Sequence, residues 1–193
     1  MLELEEAQQR ILSAIQPQPG ETVSLLAAAG RILRERVVAS IDLPTFDNSA
    51  MDGYALRSED VISASGAEPV PLRLEGLIPA GEVSAAELIA GACVRLFTGS
   101  PLPRGADAVV MQEDTRLDAG RPEIVFVREG GKPWENVRLK GEDVKRGAIL
   151  AEAGERLTAG RVSLLAAVGC AEVTVGRRPV VGLVATGSEL REG

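Results

Sequence analysis

Two aspartates, an asparagine and a serine occupy one short stretch of the chain, Asp47-Asn48-Ser49-Ala50-Met51-Asp52-Gly53-Tyr54. Short polar side chains of this kind bond to nearby backbone and stabilise turns. Asp52-Gly53 is a second turn signal, and an apolar, strand-like run follows it. Carboxylate and amide oxygens on such a loop are candidate ligands for a hard cation or a polar substrate. The alternative interpretation is a plain connector that bonds only to its own backbone.

A second candidate stretch begins Thr98-Gly99-Ser100-Pro101-Leu102-Pro103. Its glycine and two prolines predict a rigid loop between strands. The Thr98 hydroxyl stands at the start of this loop, where it can bond to a ligand or to the backbone. The next strand ends in polar groups, Gln112-Glu113-Asp114. The alternative is a hairpin with ordinary charged ends.

The third stretch combines both signs of charge. Arg138 and Lys140 point the same way if their segment is extended, and Glu142-Asp143 follow a glycine that predicts a turn. Carboxylates suit a metal ion, and basic groups suit a phosphate or another oxyanion. The alternative is a solvated loop whose charges pair with each other, and exposed pairs of that kind contribute little to stability.

The composition narrows the possible classes of protein. The chain has 193 residues, 45% of them hydrophobic, and a formal charge of -7. That charge argues against non-specific binding to nucleic acid or to an anionic membrane. The absence of histidine excludes histidine acid–base catalysis in this chain and argues against a zinc site. The two cysteines, Cys93 and Cys170, indicate reduced, buried thiols, and Glu3, Glu5 and Glu6 disrupt any signal peptide, so we expect a cytoplasmic protein.

The apolar pattern predicts an α+β fold in an elongated, two-part arrangement. Residues 3–15 read as an amphipathic helix whose apolar stripe packs in the core, and residues 54–135 as mostly β-structure. Another helix begins at Thr158. We expect a discontinuous helical and extended linker domain of residues 1–43 and 144–177, with an inserted β-rich domain of residues 44–143. The uniformly apolar residues 180–185 predict a strand buried on both faces, so residues 178–193 read as the start of an α/β domain that is otherwise missing.

Four motifs in this order resemble one family. They are Asp-Asn-Ser-Ala-Met-Asp-Gly-Tyr-Ala at 47–55, Thr-Gly-x-Pro-x-Pro-x-Gly-Ala-Asp-Ala-Val-Val-Met-Gln-Glu at 98–113, Gly-Glu-Asp at 141–143 and Ala-Thr-Gly-Ser-Glu-Leu at 185–190. The resemblance is to the molybdopterin molybdenumtransferase family, the MoeA and gephyrin E-domain group. It extends from residue 30 to Leu190, and it covers only the N-terminal part of a typical member.

The resemblance implies an enzyme that inserts molybdenum from molybdate into adenylylated molybdopterin and releases AMP. It also implies a homodimer, magnesium (Mg2+) as the cofactor, and the molybdopterin adenylyltransferase as a further partner. The alternative from another class is a dimerisation or scaffold module related to the gephyrin E domain. We expect this chain alone to be inactive.

The same resemblance implies the roles of individual residues. The positions that match the family's functional residues are Asp52, Thr98, Asp143 and Glu189. A metal role for Asp52, Asp143 and Glu189 is our hypothesis, motivated by several hard oxygen donors in a chain without histidine. Substrate contacts are expected from Asp47, Asn48, Ser49, Arg138 and Lys140. One departure is visible: Ser188 stands where the family often has aspartate, which puts a metal-ligand role at that position in doubt.

Overall fold

The computed structural model describes residues 2–82, 87–184 and 187. Within these residues the α-helices are α1 (Leu4–Ala14) and α2 (Ala159–Ala167). The strands, in chain order, are β1 (Gly20–Ser24), β2 (Val37–Val38), β3 (Asn48–Ser49), β4 (Gly53–Leu56), β5 (Val70–Ile78), β6 (Ala92–Leu96), β7 (Ala108–Met111), β8 (Thr115–Asp118), β9 (Arg121–Val127), β10 (Val137–Arg138), β11 (Ile149–Ala151) and β12 (Glu172–Gly176). Short 3-10 helices cover Leu25–Ala28, Ser58–Val61 and Gln112–Asp114. Strands dominate, and the fold is mixed α+β.

The chain divides into two compact units. Unit 1 consists of Met1–Ala39 and Ile149–Gly193, and unit 2 is the continuous segment Ser40–Ala148. Unit 2 is therefore inserted between the two segments of unit 1. The domain boundaries expected from the sequence, at 43/44 and 143/144, and the elongated arrangement of the domains stay predictions.

Unit 1 is built around an antiparallel pair, β1 with β12, and the helix α2. The helix begins where the sequence predicts it, because the Thr158 side chain accepts a hydrogen bond from the Arg161 N–H at 3.3 Å. Such a cap satisfies one of the backbone donors that a helix leaves unpaired at its start. The fully buried side chains of this unit include Leu33, Leu157, Leu165 and Val175.

The helix α1 forms as predicted, but the expectation that its apolar stripe packs in the core is wrong. Leu4, Ile11 and Leu12 are 76%, 60% and 62% exposed, and no residue of α1 is buried. Helical spacing predicts that one face needs an apolar cover. It does not identify that cover, and the described part of the chain does not provide one.

The predicted strand at residues 180–185 is also not formed over the part of it that is described, 180–184. Val180 is 100% exposed and Leu183 is 95% exposed. A uniformly apolar strand needs neighbouring strands and a covering layer on each face. The described residues offer neither to this segment.

Unit 2 holds a six-stranded sheet in the order β7-β4-β6-β5-β9-β8. Only β5 and β6 run parallel among its pairs; the others are antiparallel. The strand β4 is buried along its whole length. Its alternating side chains enter two apolar clusters, with Tyr54 and Leu56 in one and Ala55 in the other. A rigid strand thus follows directly after Asp52.

A short antiparallel pair, β3 with β10, stands apart from the large sheet. Asn48 lies opposite Arg138, and Ser49 lies opposite Val137. On the other side of β3, Ser49 donates its N–H to the Ser100 carbonyl at 2.9 Å and accepts the Gly99 N–H at 2.8 Å. The three stretches that the sequence singles out therefore converge on β3.

Candidate active site

Asp52 and Thr98, which come from separate stretches of the sequence, are in direct contact. One carboxylate oxygen of Asp52, Oδ1, accepts the Thr98 N–H at 2.8 Å and the Thr98 hydroxyl at 3.0 Å. These two hydrogen bonds, together with the nearby charge of Arg95, hold the pKa of Asp52 below its usual value. Asp52 is therefore a carboxylate at neutral pH.

Arg95 belongs to the same cluster, although no role was predicted for it from the sequence. Its guanidinium lies over the rings of Tyr54 and Phe97, at 5.0 and 5.4 Å from their centroids. It also donates to the Gln112 side-chain oxygen at 2.5 Å. The signal that could have found it is the strand alternation, which places Arg95 and Phe97 on one face next to Thr98. The result is a cation beside the Asp52 carboxylate.

Gln112 connects Asp52 to the large sheet through a backbone hydrogen bond. Its N–H donates to the Asp52 carbonyl at 3.1 Å, and its side-chain nitrogen donates to the Glu113 carboxylate at 3.3 Å. Because Gln112 directly follows β7, the large sheet fixes the position of Asp52 at the end of its turn.

The polar residues before Asp52 bond mainly to the protein itself. The Asn48 side chain donates to the Phe46 carbonyl at 3.1 Å, and the buried Ser49 hydroxyl donates to the Met51 carbonyl at 2.6 Å. Asp47 Oδ1 accepts the backbone N–H of Lys140 at 2.7 Å. These contacts shape the loop, and the predicted substrate contacts of Asp47, Asn48 and Ser49 stay predictions.

Arg138 bonds to two carboxylates at once. Its Nε donates to Glu142 at 2.8 Å and its Nη2 donates to Asp143 at 2.5 Å. The ion pair with Arg138, followed by a bond from the Leu139 N–H, lowers the pKa of Glu142. The pKa of Arg138 is raised by the same two carboxylates, Glu142 first. The group is solvent-accessible, so an anionic ligand can compete with these carboxylates for the guanidinium.

Lys140, which the sequence predicts on the same side as Arg138, bonds elsewhere. Its Nζ lies 3.5 Å from Asp42 Oδ2, whereas its backbone N–H binds Asp47. Arg138 and Lys140 thus contact different carboxylates, although only Leu139 separates them in the chain. Two cations still border the loop before Asp52.

The proposed metal ligands do not form one cluster within the described residues. No group of three or more His, Cys, Asp or Glu side chains that could hold a metal ion occurs there. Glu189 and Ser188 lie outside the described residues. Asp143 already bonds to Arg138 through Oδ2. Asp52 is an ionised hard-oxygen donor, and magnesium is commonly bound by one or two carboxylates plus phosphate oxygens of the substrate. Asp52 therefore fits a magnesium site that the substrate completes.

Comparison with known proteins places this chain in a family. The family described as the MoeA N-terminal region (domain I and II) matches residues 2–169. The chain belongs to this family. The resemblance inferred from the four motifs is thereby confirmed. No helix in the described ranges is both long enough and apolar enough to cross a membrane.

Curated relatives and solved structures agree with that assignment. The chain is 45% identical over 173 residues to a protein of Nostoc sp. named molybdopterin molybdenumtransferase, covering 90% of this chain and 39% of the relative. A protein of the same name from Haemophilus influenzae is 39% identical over 193 residues, 46% of its length. The crystal structure of the molybdopterin biosynthesis moeA protein from Pyrococcus horikoshii OT3 matches 93% of this chain and 47% of its own, with a TM-score of 0.84 and 34% identity. The chain spans less than half the length of these relatives.

Proposed function

We propose that this chain is the N-terminal part of a molybdopterin molybdenumtransferase, an enzyme of molybdenum cofactor biosynthesis. The full-length protein would insert molybdenum from molybdate into adenylylated molybdopterin and release AMP. The observation that carries this proposal is the contact between the ionised Asp52 and Thr98, on a turn joined through β3 to the strand of Arg138. A solvent-accessible carboxylate, with cations on the strand and loop that border its turn, suits an anionic substrate that carries a bound cation.

In this proposal the basic and the acidic side chains have different roles. Molybdate and the adenylyl phosphate are both anions, so carboxylates alone would repel them. Arg138 offers a planar fork of donors that suits an oxyanion, and Lys140 adds a second positive charge nearby. Thr98 orients Asp52 through its N–H and can turn its hydroxyl toward the substrate. Asp52 remains deprotonated and serves as a ligand or a proton acceptor.

Magnesium is the proposed cofactor, with Asp52 as its first protein ligand. Asp143 and Glu189 are the further proposed ligands. When bound, the ion would neutralise phosphate charge and polarise the phosphoanhydride for cleavage. Without it, the substrate phosphate would face the Asp52 carboxylate directly, and the two negative charges would repel each other.

We place the full-length enzyme in the cytoplasm as a homodimer, with the molybdopterin adenylyltransferase as the supplier of its substrate. The proposed domain arrangement keeps residues 1–43 and 144–177 as a linker domain and residues 44–143 as the inserted β-rich domain. Residues 178–193 would begin the α/β molybdopterin-binding domain.

A second candidate function is a dimerisation or scaffold module, and the exposed apolar face of α1 favours it. Leu4, Ile11 and Leu12 form an apolar surface of the kind that partner proteins cover. A scaffold, however, needs neither an ionised Asp52 nor accessible cations that border its loop. The presence of both features favours the enzyme.

The test is turnover by the full-length protein that contains this chain. Purified protein would receive adenylylated molybdopterin, molybdate and magnesium, and AMP release would be followed together with molybdenum in the product. The proposal expects AMP release that depends on molybdate. A folded, dimeric protein that releases no AMP under these conditions would contradict the enzyme and support the scaffold. Thr98→Val, which keeps the shape of the side chain, is expected to lower turnover.

A further inference from the structure

Asn136 bonds to the turn that precedes Asp52. It belongs to none of the four motifs, and no residue spacing in the sequence suggests a role for it. Its backbone has a φ of 53°, in the left-handed region that few residues other than glycine adopt. Asparagine is one of the side chains that tolerates this conformation. Asn136 lies directly before β10, the strand that carries Arg138. A left-handed residue at this point turns the chain so that its carbonyl faces β3.

Two hydrogen bonds of Asn136 connect separate segments. Its carbonyl accepts the Ala50 N–H at 2.8 Å, one residue beyond the last pair of β3 with β10. Its side-chain nitrogen donates to the Val109 carbonyl of β7 at 2.9 Å. The Val109 N–H in turn donates to the Glu135 carbonyl at 3.0 Å. The residue therefore joins β7, β10 and the turn in front of Asp52.

The turn that delivers Asp52 is held at both ends by β7. At one end the Gln112 N–H, which directly follows β7, binds the Asp52 carbonyl at 3.1 Å. At the other end Asn136, itself bonded to β7, binds Ala50. Loss of the Asn136 amide would leave the bond from the Ala50 N–H to the Asn136 carbonyl in place, but it would remove the side-chain bond that anchors this end of the turn to β7. We propose that Asn136 is a positioning residue, which fixes the turn carrying Asp52 relative to the strand carrying Arg138.

The expected effect on turnover rests on the proposed function, because Asp52 is the proposed ligand of the cation and Arg138 is the proposed binder of the anion. Asn136→Gly is the most direct variant, since glycine adopts the left-handed conformation freely and removes only the amide. Trp134→Gly is the matched control. Trp134 lies in the same loop, also has a left-handed backbone (φ 65°), and is half exposed. Its N–H binds the Asp107 carbonyl at 2.5 Å and not the turn.

The experiment measures both variants in the full-length protein, with molybdate as the varied substrate. For Asn136→Gly we expect kcat/KM for molybdate to fall about tenfold, the scale of one lost hydrogen bond, with most of the change in KM and a smaller fall in kcat. Trp134→Gly should change both by less than about twofold, since surface substitutions away from such contacts have small effects. A smaller folded fraction lowers the apparent kcat but leaves KM unchanged, so the rise in KM separates positioning from loss of folded protein. Equal effects of the two variants, or an unchanged KM in Asn136→Gly, would overturn the proposal.

Hydrogen exchange of the same proteins gives an answer that does not depend on turnover. Asn136→Gly should speed exchange of the Ala50 and Thr98 amides, whereas Trp134→Gly should not. If the wild-type protein released no AMP, the proposed function would fail, and the exchange rates would still decide the positioning role. Unchanged exchange at Ala50 in Asn136→Gly would reject it.

Discussion

Thr98 donates two hydrogen bonds to a single carboxylate oxygen of Asp52, one from its N–H at 2.8 Å and one from its hydroxyl at 3.0 Å. Both bonds favour the charged form of the carboxyl, so the pKa of Asp52 lies below its usual value. Asp52 consequently has no proton to donate near neutral pH. Its chemistry is limited to that of an anion, which binds a cation, orients a polar group or accepts a proton.

The paired contacts of Arg138 predict that a lysine cannot replace it. Arg138→Lys keeps the charge but loses the fork that reaches two oxygens at once. In the full-length enzyme, KM for molybdate should rise about tenfold, the equivalent of one good hydrogen bond to an anion. Steady-state kinetics would measure this. Arg121→Lys is the control, because Arg121 also pairs with an aspartate, Asp118, in a solvent-exposed ion pair, on the β8–β9 hairpin. The same KM in both variants would contradict the role of Arg138.

Gly53 is predicted to resist substitution because β4 has no space for a side chain there. A Cβ at this position would lie 2.1 Å from the Val110 carbonyl oxygen. Gly53→Ala should lower the free energy of unfolding by about 1–3 kcal/mol, the usual cost of overpacking. Urea unfolding would measure it. Gly66→Ala is the control, since nothing lies within 4 Å of a Cβ there, and its effect should stay within about 0.5 kcal/mol. Equal losses in the two variants would be inconsistent with the tight packing of β4.

The lowered pKa of Asp42 predicts that this residue contributes to the loss of folding stability at acid pH. Its Oδ1 accepts the Arg146 N–H at 2.8 Å, and this bond is the main reason that its pKa is lowered in the folded state. A carboxyl with a lowered folded pKa contributes stability above its unfolded pKa, about 3.9. This contribution is lost as the pH falls through the folded pKa. Urea midpoints at neutral and acid pH should therefore differ less for Asp42→Asn than for the wild type. An identical acid loss in both proteins would show that Asp42 does not contribute.

The two cysteines are predicted to react at different rates. Both thiols are free, but Cys93 is fully buried and Cys170 only half buried. Burial raises the pKa of the Cys93 thiol to about 12, so the reactive thiolate is scarce. An aromatic disulfide reagent at mildly alkaline pH should modify Cys170 in the native protein and Cys93 only after unfolding. Cys170→Ser should abolish the fast phase; a fast phase that persists in this variant would contradict the assignment.

The elements whose signals are local are the ones that the sequence predicts well. Residues 54–135, predicted as mostly β-structure, contain the strands β5 to β9, and the Thr158 cap begins α2 as expected. Strand alternation, turn residues and helix caps each act within a few positions of the chain, so they can be read without the fold. The burial of α1 could not be predicted in this way. Its spacing shows that one face is apolar, but the cover of that face depends on residues far away in the sequence.

The residues of the candidate site also differ in whether a local signal in the sequence predicts them. The sequence singles out Asp52 and Thr98 through the motifs and Arg138 through its charge, and the structure brings the first two into contact. Arg95 and Asn136 were missed because their roles come from distant partners. Arg95 lies against Tyr54 through strand pairing, and Asn136 bonds to β7 through a left-handed turn. Strand alternation predicts only that Arg95 and Phe97 share a face, and no spacing within the sequence encodes the contact of Arg95 with Tyr54 or the bond of Asn136 to β7.

The central claim, that the Asp52 carboxylate serves turnover, is tested most directly by Asp52→Asn in the full-length protein. The substitution keeps the shape of the side chain and removes its charge. Asp60→Asn is the control, because Asp60 also accepts a backbone N–H, that of Gly91 at 2.9 Å, outside the Asp52 cluster. Molybdate-dependent AMP release would be measured over a range of magnesium concentrations. We expect turnover to fall about a hundredfold in Asp52→Asn, as for loss of a group that positions charge in the transition state, and to persist in Asp60→Asn. Wild-type turnover in Asp52→Asn at an unaltered magnesium dependence would contradict the account.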